Sequence, residues 1–146
     1  METDSPPETP RIQTQAQIMF FDTDCAAVVH NIAYLRHIEV ARTLLAEQLG
    51  WRLREMSSSG LFPVVVRTEI DYRRPAVLGD QITIDGWLDA VERMRFWCAF
   101  EVKRPADNTL LCTARQMLAL VQMPGGKPVR LPADLLEKYA HLRGQR

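Results

Sequence analysis

The stretch Phe20-Phe21-Asp22-Thr23-Asp24-Cys25-Ala26-Ala27-Val28-Val29-His30-Asn31 runs directly into Ile32-Ala33-Tyr34-Leu35-Arg36-His37-Ile38-Glu39-Val40-Ala41-Arg42. An apolar, strand-like end passes through a turn of small residues carrying two carboxylates and enters a helical pattern. At least one carboxylate therefore belongs beside the start of a helix, where free N–H groups and the helix dipole favour negative charge. Such a junction suits chemistry on a carbonyl group, whose oxygen becomes negative on attack.

Upstream, Ile12, Thr14, Ala16, Ile18 and Phe20 alternate with Gln13, Gln15, Gln17 and Met19, the period of a strand with one buried face. Downstream, Ile32, Leu35, Ile38, Ala41, Leu45 and Leu49 recur at spacings of three and four, which predicts the main helix from about Asn31 to Leu49. Asn31 is its candidate N-cap and Gly50 its C-terminal stop. Tyr34, Val40 and Leu44 add apolar residues outside the first stripe, so the helix is expected to be enclosed rather than laid on a surface. Ser57-Ser58-Ser59-Gly60 reads as a flexible polar loop. Beyond it, Val64 to Tyr72, Ile82 to about Asp89, Met94 to Val102 and Leu110 to Val121 read as four strands. Gly79-Asp80, Val91-Glu92-Arg93 and Pro105-Ala106-Asp107-Asn108 separate them. Pro132 ahead of Ala133–Tyr139 predicts a short last helix.

A chain of 146 residues that is 47% hydrophobic has the length and composition of one domain with a sizeable core. Eighteen basic and eighteen acidic residues give no net charge, and so no broad field to draw nucleic acid or an anionic membrane. No apolar run approaches the roughly 20 residues that span a bilayer. Cys25, Cys98 and Cys112 are odd in number and lack metal-like spacing, which points to a reducing cytoplasm rather than to disulfides. Residues 1–10, acidic and proline-rich without the pattern of a secretory signal, are expected to form a disordered leader, with a single domain over 11–146.

One strand, a long helix and four further strands make an α+β layout: an antiparallel sheet of about five strands wrapped around one central helix. This order resembles the hot-dog-fold acyl-CoA thioesterases of the 4-hydroxybenzoyl-CoA thioesterase type. The resemblance is carried by Asp-Thr-Asp-x-x-x-Val-Val at the junction and Tyr-Leu-x-x-x-Glu-x-Ala-Arg on the helix. It extends to Asp71-Tyr72-Arg73-Arg74-Pro75-Ala76-Val77-Leu78-Gly79-Asp80 and covers about Gln17 to Val121. It implies hydrolysis of an acyl-CoA, with Asp24 as the catalytic carboxylate and the thioester polarised by amides near Val29, His30 and Asn31. It further implies no cofactor, a small-molecule acyl-CoA partner, and a homodimer or homotetramer with sites between subunits. Family members usually carry glycine where this chain has Ala26-Ala27.

Asp24 lies about seven residues before Asn31, too far for a simple cap, and could act as nucleophile or as general base on water. Asp22 is expected to bond backbone N–H groups in the turn. His30 invites a general-base role by its ordinary pKa, about 6.5, but in the resembling enzymes this position contributes its backbone. Asn31 could cap the helix or hold a water or the thioester oxygen, and Tyr34 reads as a core or pocket-wall aromatic rather than an acid. Glu39 is a secondary candidate, since related thioesterases can use a carboxylate from this helix; Arg42 at i+3 offers it an ion pair instead. Arg73, Arg74, Arg93, Arg95, Lys103 and Arg104 are candidates for coenzyme A phosphates. No cluster has metal-ligand spacing. Two rival readings are a thioesterase for carrier-protein-bound acyl or polyketide chains and a non-catalytic acyl-thioester binder.

Overall fold

A computed structural model of the chain describes residues 9–144. Five strands carry the architecture: β1 (Arg11–Gln17), β2 (Leu61–Tyr72), β3 (Gln81–Val91), β4 (Arg95–Arg104) and β5 (Thr109–Gln122). They lie in the order β1-β3-β4-β5-β2 with every neighbouring pair antiparallel, and a two-residue strand β6 (Lys127–Pro128) adds to β5. Three helices complete the described chain: α1 (Asn31–Gln48), α2 (Leu53–Ser59) and α3 (Ala133–Lys138).

The alternating sequence pattern becomes the two faces of this sheet. Ile82, Ile84 and Leu88 of β3, Phe96 and Phe100 of β4 and Leu118 and Leu120 of β5 are buried on the face that receives α1. The helix contributes Ala33, Tyr34, Ile38, Ala41, Leu45 and Ala46, and its closest approach is to β3 and β1. Ile38 and Leu45 are fully buried, worth about 1.5–3 kcal/mol each relative to exposure. Gly86 leaves room for its cross-strand neighbours: a Cβ there would lie 2.9 Å from the Phe100 ring and 3.3 Å from Ile12.

Several expectations are corrected. Strand β1 stops at Gln17, and Phe20–Asp22 form a 3₁₀ turn that leaves Phe20 and Phe21 83% and 69% exposed rather than on a buried face. Helix α1 is not enclosed. Ile32 (64% exposed) and Val40 (54%) face outward, because one sheet covers only one side of a helix. The stretch Ser57–Ser59 is the end of α2, stopped by Gly60 in the left-handed conformation (φ 72). Of the four later strands β3, β4 and β5 are neighbours in space as in sequence, whereas β2 pairs with β5, so the chain crosses the sheet to begin β3. Pro10 is bonded to the Leu88 N–H (3.1 Å), so the expected leader gives way to the sheet by that residue; its first eight residues lie outside those described. Among the described residues no helix is long and apolar enough to cross a membrane.

Candidate active site

Asp22 fastens the junction. It is 1% exposed, and its carboxylate accepts the Met19 N–H (2.9 Å) and a guanidinium N–H of Arg36 (3.2 Å), with His37 Nε2 3.4 Å away. Its carbonyl accepts the His30 N–H at 3.0 Å. One buried acid thus ties the 3₁₀ turn, the entrance to α1 and the second turn of that helix together. The bond to a turn amide was expected; the link to Arg36 and His37, fourteen and fifteen positions away, was not.

From this anchor the chain makes a small hairpin. Thr23 bridges Val29, the Asp24 N–H reaches the Val28 carbonyl (3.0 Å), and the Ala27 N–H returns to the Asp24 carbonyl (3.0 Å). At its tip Asp24 Oδ1 accepts the Ala26 N–H (2.8 Å) and the more distant Val28 N–H (3.4 Å). Oδ2 has no hydrogen-bond partner among the described residues, and Asp24 is exposed. The turn requires a left-handed residue, and Ala27 adopts it with φ 58. Alanine in place of the expected glycine therefore keeps this conformation, at about 1–2 kcal/mol of steric strain. A second segment braces the hairpin: the Val29 N–H bonds the Ala76 carbonyl and the Leu78 N–H bonds the Ala27 carbonyl, both at 3.0 Å.

These bonds correct the expected set of polarising amides. The Val29 and His30 N–H groups are both engaged by carbonyls. Helix α1 begins with Asn31, and extended His30 (φ −73, ψ 149) is the N-cap in place of Asn31, without a side-chain capping bond. Asn31 and Ile32, in the first turn, have no carbonyl within the helix to bond, and among the described residues their amides have no other acceptor. The free amides are thus those of Asn31 and Ile32, at the positive end of an 18-residue helix. The His30 side chain is exposed.

Beside these amides lies a cavity of about 310 Å³ lined by Val29, Asn31, Tyr34, Tyr72, Arg73, Arg74 and Pro75. Tyr34 lines the cavity and is itself fixed: its hydroxyl accepts the Ala76 N–H at 2.9 Å, and burial pushes its phenol above the ordinary value. Tyr72 is the residue the sequence reading passed over. Its hydroxyl donates to the Asn31 carbonyl (3.0 Å) and its ring lies 5.7 Å from that of Tyr34, which joins the end of β2 to the first turn of α1. Its only signal was its place in the Asp71–Asp80 segment.

Other candidates fall outside this group. Glu39 is eight residues along α1 from Asn31, about 12 Å at the helical rise. It pairs with Arg42 (3.3 Å), whose guanidinium also donates to buried Gln116 (3.0 Å). Cys25 is exposed beside Asp24, whereas burial pushes the Cys98 and Cys112 thiols up to about 12. Of the basic candidates, Arg95 pairs with Glu92, Lys103 with Glu101, and Arg104 with Asp80 and Asp107. Among the described residues no group of three or more His, Cys, Asp or Glu side chains converges as a metal site would.

Comparison with known proteins places this geometry. A probable thioesterase from Bartonella henselae superposes with a TM-score of 0.76 at 29% identity, over 84% of this chain and 99% of that one. A long-chain acyl-CoA thioesterase of Escherichia coli is 26% identical over 90% of this chain and 98% of its own. A 1,4-dihydroxy-2-naphthoyl-CoA hydrolase of Thermosynechococcus vestitus is 27% identical over 87% of each chain. The curled antiparallel sheet with its long helix is the hot-dog layout of these thioesterase structures. A family model described as the thioesterase-like superfamily matches residues 19–139, from the 3₁₀ turn to the end of α3, and the chain belongs to that superfamily.

Proposed function

We propose that this protein hydrolyses acyl-CoA thioesters, with Asp24 as the catalytic carboxylate and the Asn31 and Ile32 amides as the oxyanion site. The observation that carries the reading is that, among the described residues, an Asp24 carboxylate oxygen has no partner in the hairpin leading into α1 and two amides have no acceptor at the start of that helix, where Asn31 lines an aromatic-walled cavity. As general base, Asp24 takes a proton from water while the water oxygen bonds the thioester carbon. The carbonyl oxygen becomes negative between the two amides, where donors already in place stabilise it. Collapse of the intermediate breaks the C–S bond, and the proton passes from Asp24 to the departing thiolate. Free acid and coenzyme A result. In the nucleophilic route, Oδ2 bonds the carbon itself, the thiolate leaves, and water then opens the mixed anhydride.

Relatives named for acyl-CoA substrates support the substrate class, and the absence of any need for a cofactor follows from either route. Alanine in place of the family's glycine in the turn would favour a non-catalytic binder if it changed the loop shape. Ala27 takes the left-handed conformation nonetheless, so that argument loses its force. We also assign the protein to the cytoplasm and to a dimer or tetramer.

Asp24→Asn should lower kcat by at least about a hundredfold on any acyl-CoA that the wild type turns over, with the thermal midpoint nearly unchanged. The assay is thiol release over a panel of aliphatic and aromatic acyl-CoA esters. A variant that keeps most of its activity would move the catalytic role away from Asp24. Label found in the Asp24 carboxylate after a single turnover in ¹⁸O-water identifies the nucleophilic route with water entering at the Asp24 carboxyl carbon of the anhydride, since the general-base route leaves Asp24 unlabelled.

A further inference from the structure

Charge in this chain is balanced overall and, at several basic residues, balanced locally. Arg36, Arg42, Arg95, Lys103 and Arg104 each meet a carboxylate within 4 Å. Arg73 and Arg74 are the exception at the cavity. Both line it, both are exposed, and among the described residues neither side chain makes an ion pair or a hydrogen bond. No Asp or Glu is among the seven lining residues. The cavity is therefore lined by two adjacent uncompensated cations together with Asn31, the first residue of α1.

The backbone beneath these cations is held at several points. The Arg73 and Arg74 N–H groups both bond the Leu111 carbonyl, at 2.9 and 3.1 Å. Pro75 fixes its own φ and restricts Arg74. Ala76 is held through its N–H by Tyr34 and through its carbonyl by the Val29 N–H. Two long side chains thus start from a fixed platform, which lowers the ordering a bound anion must impose. Arginine suits the role because its planar fork meets phosphate or carboxylate oxygens two at a time.

Resting on the thioesterase reading, we propose that Arg73 and Arg74 bind an anionic oxygen group of the thioester substrate. Two parts of such a substrate carry that chemistry: the phosphates of its coenzyme A end and a carboxylate at the far end of its acyl group. The pair makes selectivity for a charged substrate a property of the β2 end rather than of Asp24.

The test compares the wild type with the double variant Arg73→Gln/Arg74→Gln. Hydrolysis is measured for one acyl group on coenzyme A, for the same acyl group on pantetheine, and for its ω-carboxylate analogue on pantetheine. Binding of free coenzyme A and free pantetheine is measured by calorimetry. If the phosphates are the ligand, the wild-type preference for coenzyme A over pantetheine should fall at least about tenfold in the variant, both in kcat/KM and in Kd. If the acyl carboxylate is the ligand, the preference for the ω-carboxylate ester should fall by a similar factor, with the coenzyme A preference unmoved. Preference ratios that are the same in wild type and variant overturn the proposal. A wild type that hydrolyses none of the esters but loses coenzyme A affinity on substitution would keep the anion site and remove the catalytic reading. Hydrolysis with unmoved ratios would do the reverse.

Discussion

Asp22 and Asp24 stand two positions apart and have opposite surroundings. Asp22 is enclosed and meets Met19, Arg36 and His37, whereas Asp24 holds two loop amides with one oxygen and keeps the other unpartnered. Removing the first carboxylate takes the acceptor from the part-buried Met19 N–H and the neighbouring anion from Arg36 and from buried His37 Nε2, which is costlier than losing an exposed ion pair. Asp22→Ala should therefore lower stability by about 2–3 kcal/mol in urea unfolding, after allowing for the half-exposed Arg36. A loss under about 0.5 kcal/mol would mean that the turn and helix are held by other contacts. The choice of Asp24 over Asp22 was legible in the sequence only through the family resemblance. Their separate surroundings are set by side chains fourteen positions away, which no local pattern encodes.

At the level of elements, α2 shows what local patterning misses. Three serines read as a loop, yet the helix ends one residue later on Gly60, whose N–H bonds the Met56 carbonyl at 2.8 Å. Gly60 is required there twice, by its positive φ and because a Cβ would come within 2.9 Å of the Met123 carbonyl oxygen. Gly60→Ala should cost about 2 kcal/mol, read as a lower thermal midpoint. An unchanged midpoint would show that the segment gives way freely. The strands themselves were legible to within a few residues: β1, β3 and most of β5 alternate between a more and a less buried face, and β2 and β4, whose burial does not alternate, are bounded by turn residues. Their order was not, because the pairing of β2 with β5 is decided by contacts between residues some fifty positions apart. The same holds for the site. Asp24, Asn31 and Tyr34 stand in one contiguous motif, whereas Tyr72 and Ala76 reach it only through the fold.

For the whole molecule, the decisive feature is that the sheet ends at β2. This twelve-residue strand has no neighbour on its outer side among the described residues, and Val64, Val65 and Val66 are exposed along it. A long apolar edge is a template for another strand. With a two-fold axis it pairs with its own copy, which would set the two β2 ends and their tyrosines near the joint. The protein should therefore run at two or four times 16.7 kDa in light scattering. Val64→Lys/Val66→Lys should shift it toward the monomer. A monomeric wild type with full activity would reject a site shared between subunits.

The first turn of α1 has one more consequence, for amide proton exchange. Val29 and His30 donate to Ala76 and Asp22, whereas the next two N–H groups along the chain meet no acceptor among the described residues. Protection against deuterium should accordingly break between His30 and Asn31 in the free protein, with Asn31 and Ile32 labelling near the rate of an unstructured peptide. A non-hydrolysable thioester analogue should slow those two positions selectively, so the boundary between slow and fast amides marks the occupied site without any measurement of turnover.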